Sequence, residues 1–331
     1  MKKLIMAVMI CSLSAPAVAE ENVKVSGSVE IQYRSSKDIY EENVPAHPDP
    51  DYNPSGGDEI RPEELYLQVS RKIDKGVEVL LKFDGADMDK NTAGGSDSKY
   101  VEEAQLIFSG LVFDGLTIVA GKDEMPFGQD YEKFMLNSAT HELEIDKVWG
   151  LHGIFNIKGL GTVAAAVFEN DRDADTKVQD SVAARATMDK LVENLSVEVS
   201  VARRGEDKAA VPAEKDETRF NAGGVFKLGD FTFHAEQTLI SNFKNEDDHD
   251  LDVLLVGADF KFKDFLFKAR QEKIEHDFPT AAPDDGEELK VAGGADYYFS
   301  EKTFVSVEYE FTKWDIADDT DEVLLGVKFI F

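Results

Sequence analysis

Cysteine is almost absent from this chain. The single one, Cys11, lies in an apolar run near the N-terminus. The remainder therefore has no disulfide, no thiolate metal site, no cysteine nucleophile and no covalent c-type haem attachment. No apolar run reaches the roughly 20 residues that a helix needs to cross a bilayer. Cations are scarce beside anions: 36 Lys and Arg stand against 66 Asp and Glu, a formal charge of −30. That balance argues against nucleic acid or anionic lipid headgroups as direct partners. Catalytic signatures are missing too. The six histidines, His47, His141, His152, His234, His249 and His276, show no zinc spacing, and neither Gly-x-Ser-x-Gly nor a P-loop occurs. No enzyme and no cofactor are expected.

The N-terminal run itself reads as an export signal. Lys2 and Lys3 precede apolar Leu4 to Leu13, and Ala17-Val18-Ala19 supplies small residues at a cleavage site. Ile10 before Cys11 does not suit lipidation. The expected organisation is a signal peptide over 1–19 and one domain over 20–331.

From Val23 onward, apolar and polar residues alternate. Val23, Val25, Val29, Ile31 and Tyr33 interleave with Lys24, Ser26, Ser28, Glu30, Gln32 and Arg34. Period 2 marks a strand with one apolar face. Sixteen such segments lie near 23–35, 62–72, 76–86, 100–110, 115–122, 147–158, 161–169, 179–189, 195–204, 218–228, 231–243, 251–262, 265–274, 288–299, 303–314 and 322–331. Short turns follow the even segments, such as Leu228-Gly229-Asp230 and Lys263-Asp264, and long polar loops follow the odd ones. Strict alternation of short and long links implies antiparallel hairpins with all long loops at one end. The polar face carries many charges, among them Lys82, Arg185, Arg219, Lys268 and Arg270 beside Glu30, Glu64, Glu198, Glu236 and Glu308, in roughly equal numbers of each sign. A bilayer tolerates no unpaired backbone, so such a sheet must close. The predicted fold is all-β: a transmembrane antiparallel up-and-down β-barrel of about 16 strands with a polar lumen and an apolar exterior. Phenylalanines bracketing turns, as in Phe226, Phe231 and Phe233 or Phe260, Phe262, Phe265 and Phe267, suit an aromatic girdle.

Two stretches resemble known families. Val323, Leu325, Val327, Phe329 and Phe331 occupy alternate positions up to a terminal phenylalanine. They are similar to the signal that outer-membrane barrels present to their assembly machinery. The link from Gly121-Lys122 through Met125-Pro126-Phe127-Gly128 to Asp146 is the longest. It resembles the third long loop of 16-stranded Gram-negative general porins, which folds into the lumen. It is also similar to the Pro-Phe-Gly stretch of phosphate-selective or siderophore-type porins. The resemblance implies a pore constriction formed by Asp123, Glu124, Pro126, Phe127, Gly128, Asp130, Glu132, Glu142 and Glu144. It further implies passage of small hydrophilic solutes, contact with outer-membrane lipid and lipopolysaccharide, and a homotrimer. A substrate-specific channel for phosphate or an iron chelate, a sheath barrel around an electron-transfer partner and a surface adhesin stay open as alternatives. The acidic runs Glu246-Asp247-Asp248 and Asp318-Asp319-Thr320-Asp321 offer oxygen ligands for Ca2+ or Mg2+, with a solvated loop as the plainer reading.

Overall fold

The computed structural model describes residues 23–39, 58–85, 101–128, 134–146, 148–169, 181–205, 215–243, 249–277, 286–314 and 319–331. The expected signal peptide, 1–19, and the acidic run 246–248 lie outside the described residues. Sixteen strands follow one another: β1 (Val23–Ile39), β2 (Asp58–Asp74), β3 (Val77–Asp84), β4 (Val101–Ser109) and β5 (Leu116–Asp123). After a short helix, α1 (Ala139–Glu142), come β6 (Val148–Ile157), β7 (Gly161–Phe168), β8 (Ser181–Val192) and β9 (Leu195–Arg204). The chain continues through β10 (Glu217–Leu228), β11 (Phe231–Ser241), β12 (Asp250–Phe262) and β13 (Phe265–Asp277). It finishes with β14 (Gly286–Ser300), β15 (Thr303–Trp314) and β16 (Asp319–Ile330). Each strand pairs antiparallel with its sequence neighbour, and β16 pairs with β1 to close the barrel.

The pleat sorts the side chains as the alternation predicts. Along β11, exposure alternates residue by residue: Phe231, Phe233 and Leu239 face out, while His234, Glu236, Thr238 and Ile240 are buried inside. On β15, Val307 is 52% exposed and its neighbour Ser306 only 2%. In a closed sheet every ladder bond is made within the barrel wall, so the outer surface can present apolar side chains alone to hydrocarbon.

From β11 to β14, outward aromatic rings form a contiguous cluster near the short turns. Phe231 stacks on Phe260 with centroids 4.6 Å apart, Phe260 reaches Phe267 at 6.3 Å, and Phe265 meets Tyr297 at 5.0 Å. Tyr297 then packs edge-on against Phe299. Rings that cross from strand to strand in this way suit the interface between hydrocarbon and headgroup.

Inside, the wall is not uniformly polar. On β7 to β9 many inward positions are small: Ala164, Ala166, Ser181, Ala183, Ser200 and Ala202. Small residues leave space, and the segment after β5 fills it. Met125 and Phe127, each 1% exposed, pack with Ile145 and Val148 against Ala166, Phe168, Ala183 and Ala202.

Candidate functional site

The described residues of the loop between β5 and β6 lie within the barrel and are fastened to its wall. Its base closes where the Met125 N–H donates to the Ile145 carbonyl at 2.7 Å. Gly128 takes a left-handed φ of 79°, a conformation that favours glycine. Its N–H donates to Ser200 Oγ at 3.0 Å, and its carbonyl accepts from Arg185 at 3.2 Å. Further along, the two oxygens of Glu308 accept from the backbone N–H groups of Met135 and Leu136, both at 2.8 Å. Arg270 donates to the carbonyls of Leu136 and Asn137, Glu272 accepts from the Ala139 N–H at 2.6 Å, and Arg219 donates to the Leu143 carbonyl. Ser138 caps α1 by accepting from the His141 N–H. A loop buried in a barrel must satisfy its own backbone, and charged wall side chains do so here.

Apolar contacts complete the docking. Ala139 and Leu143 join Ile240, Leu251, Val253 and Ile274, while Met135 and Leu136 join Leu324 beside Phe304. Gly326 makes room, since a Cβ there would stand 2.2 Å from Met135 Sδ.

These contacts press the loop toward β7–β13, β15 and β16. Its other side borders a recess of about 150 Å³, lined by Glu30, Glu64, Tyr66, Phe134, His141 and Lys328, among others. The cations around this space are heavily paired. Lys328 lies between Glu30 at 3.2 Å and Glu64 at 2.7 Å, Arg34 between Glu63 and Glu322, and Lys82 between Glu102 and Glu103. Beside the anchored loop, Lys268 is held by Asp296 and Glu308, and Arg270, which also lines the recess, by Glu272 and Glu310. Each of these five cations thus touches two carboxylates. Among the described residues, buried carboxylates outnumber buried Lys and Arg, with Glu217, Glu236, Asp259 and Glu288 adding to the excess.

The expected constriction residues separate into groups. Asp123 ends β5, accepts from Gln105 at 2.7 Å and sits 3.3 Å from His152 Nε2. Glu124 follows it with an exposed edge, and Glu144 is nearly buried with His141 Nδ1 at 3.2 Å. Enclosure by the surrounding protein pushes the Glu124 carboxyl up to about 7; Glu144, Asp123 and Asp146 push the same way, and Arg185 opposes them. Pro126, Phe127 and Gly128 are buried under the loop, so they hold it down instead of bordering the opening. Glu142 belongs to α1. Asp130 and Glu132 lie outside the described residues.

Sequence reading missed Phe134, which lies 5.0 Å beneath the Lys268 ammonium and 4.7 Å from the Arg270 guanidinium. It also missed His141 and Lys328. Only the inward parity of Lys328 could have flagged that residue; nothing local marks the other two. The acidic run ending at Asp321 falls partly in β16, with Asp319 to Asp321 inside the strand. Among the described residues, no group of three or more His, Cys, Asp or Glu is arranged to hold a metal ion.

Comparison with known proteins agrees with this architecture. Among solved structures, the outer-membrane channel DcaP of Acinetobacter baumannii superposes with a TM-score of 0.69 at 13% identity, covering 95% of this chain and 99% of that one. An anion-selective porin from Comamonas acidovorans gives 0.66 at 13% identity over 93% and 99% of the two chains. The trimer form of OmpT of Vibrio cholerae, an outer-membrane protein, gives 0.64 at 14% over 93% and 99%. No curated protein matches the sequence. The family model described as Gram-negative porin matches residues 6–316. An integral outer-membrane barrel with a loop folded into its lumen, matched to that family over nearly its whole length, is a diffusion channel, and the chain belongs to the Gram-negative porins.

Proposed function

We propose that this channel passes small hydrophilic solutes with a preference for cations, and that Asp123, Glu124 and Glu144 set that preference where the inner loop narrows the lumen. The observation that carries the reading is the double pairing of five lumen cations, Arg34, Lys82, Lys268, Arg270 and Lys328. A lysine or arginine flanked by two carboxylates contributes no net positive field, so the passage as a whole is negative. Fixed negative charge in a narrow aqueous path raises the local concentration of cations and lowers that of anions. The Comamonas porin that shares this fold is anion-selective; selectivity belongs to the side chains, and here those are acidic. The loop inside the barrel also occupies space that a haem-protein plug would need, which favours a solute path over a sheath. Residues 1–19 would direct export, the assembly machinery would insert the barrel among lipid and lipopolysaccharide, and three copies would associate. Reversal potentials in a KCl gradient across a planar bilayer test the proposal. A potential of the sign given by potassium preference is expected, and one of the sign given by chloride preference overturns it.

A further inference from the structure

We propose that His249 and His276 form a binding site for a first-row transition-metal dication, Cu2+, Ni2+ or Zn2+, at the long-loop end of the lumen. The two residues are 27 apart in sequence and face each other only because β12 and β13 pair. The register sets Leu251 opposite His276, so His249, two residues before Leu251, falls beside the same imidazole. His249 Nε2 lies 3.3 Å from His276 Nδ1. A tetrahedral ion with metal–nitrogen bonds of about 2.0–2.1 Å sets two ligand nitrogens about 3.3–3.4 Å apart. The observed spacing is thus that of one edge of such a site; without an ion the pair shares a hydrogen bond whose donor depends on the tautomer, and a square-planar Cu2+ or Ni2+ would draw the two nitrogens to about 2.9 Å.

The surroundings hold the two rings in place before any ion arrives. Phe243 packs edge-on against both, with centroids 5.3 Å from His249 and 6.4 Å from His276, and its N–H donates to the His249 carbonyl at 2.6 Å. Ile240, Leu251 and Ile274 form an apolar floor below. His249 is 4% exposed, whereas His276 is half-buried and keeps a side open. A chelate built across two paired strands requires little further ordering on binding, which favours affinity. Neutral imidazole is a borderline donor that suits copper, nickel and zinc and discriminates against Ca2+ and Mg2+. With two protein nitrogens, the remaining positions are taken by water or by a passing anion, and binding weakens as either ring is protonated.

Purified full-length channel in detergent, titrated with Cu2+ and separately with Zn2+, tests this by calorimetry and by the electron paramagnetic resonance of bound copper. The expected result is one ion per chain with two nitrogen couplings. His249→Gln and His276→Gln should each weaken binding by more than about tenfold, as lost metal contacts do. His234→Gln, on β11 away from this pair, should leave it unchanged, and excess Ca2+ should not compete. Heat-modifiable mobility of each variant confirms that the barrel has formed, so lost binding reports the site itself. Equal affinity in the parent chain and both single variants, or a copper spectrum with fewer than two nitrogens, overturns the proposal. The readout is independent of ion selectivity, so failure here and failure of the cation-preference reading are distinguishable.

Discussion

Gly27 and Phe331 exchange both of their backbone hydrogen bonds, N–H to carbonyl at 3.2 Å one way and 2.9 Å the other. The Phe331 ring lies over Gly27, where a Cβ would come within 2.6 Å of the ring and 2.3 Å of the Tyr66 carbonyl oxygen. The seam between β1 and β16 therefore depends on a residue without a side chain at one end and an aromatic one at the other. Removing Phe331, or replacing it with Asp, should lower the amount of heat-modifiable folded protein in outer membranes several-fold while export continues. Gly27→Val should do the same through its clash with backbone. Unchanged folded protein in both variants would show that the seam forms without this pair.

A second prediction concerns which face meets lipid. Leu106 points out from β4, and its neighbour Gln105 points in, donating to Glu103 and Asp123. Leu106→Arg should cost on the order of 2–4 kcal/mol if it lies near the bilayer midplane. Gln105→Arg keeps carboxylate partners and should cost less. Not every inward position offers this tolerance. Ser306 and Gly326 face in, but Ser306 is bonded to Asp296 and Glu308, and Gly326 is covered by Met135. Arginine at either should therefore be costly too, for packing reasons. Denaturant unfolding of the refolded barrel in lipid would rank the four variants.

The inner loop should depend on Glu308. Its carboxylate receives Met135 and Leu136 N–H groups and the Lys268 ammonium together. Glu308→Ala leaves a buried lysine short of one partner and two backbone donors without any, and breaking such a buried pair costs about 3–5 kcal/mol. We expect the barrel to survive with a loosened loop. Larger fluctuations in single-channel current and faster cleavage within 122–147 by added protease would register it.

Selectivity should depend on pH through Glu124. Its carboxyl titrates at about 7, so it is largely neutral below that value and negative above it. Cation preference should therefore rise between about pH 6 and pH 8 at low salt and diminish as salt shortens the Debye length from about 10 Å at 0.1 M. Asp123→Asn with Glu124→Gln should reduce the preference, and Glu124→Gln alone should flatten its rise near neutrality. Reversal potentials measured across that range would detect a missing step.

The strands were legible because each carries its own pattern. The segment near 195–204 matches β9, and 303–314 matches β15. Lipid on one side and water on the other impose period 2 without reference to the rest of the chain. The inner loop's attachment was not legible, because its partners are remote: Leu136 and Glu308 are 172 residues apart. Pro126, Phe127 and Gly128 were conspicuous in sequence for a structural reason, the buried anchor, and not because they border the passage. Ser138 and the four residues of α1 are too short a pattern to register as a helix. The histidine pair was hidden for the same reason as Glu308, since only strand register brings position 249 to position 276.

Closure through β1 and β16 has a consequence for how the chain reaches this state. The strand synthesised first among the sixteen finds one of its two neighbours only in the strand synthesised last, so Val29 waits for Phe329. Until then β1 has an unsatisfied edge, and contacts so distant in sequence form slowly because loop closure must precede any gain from them. An incomplete barrel is an open sheet with sticky borders, prone to associate with other chains. The protein should therefore need a holding chaperone throughout its transit, and any interruption of synthesis before β16 should yield degradation and not a smaller pore.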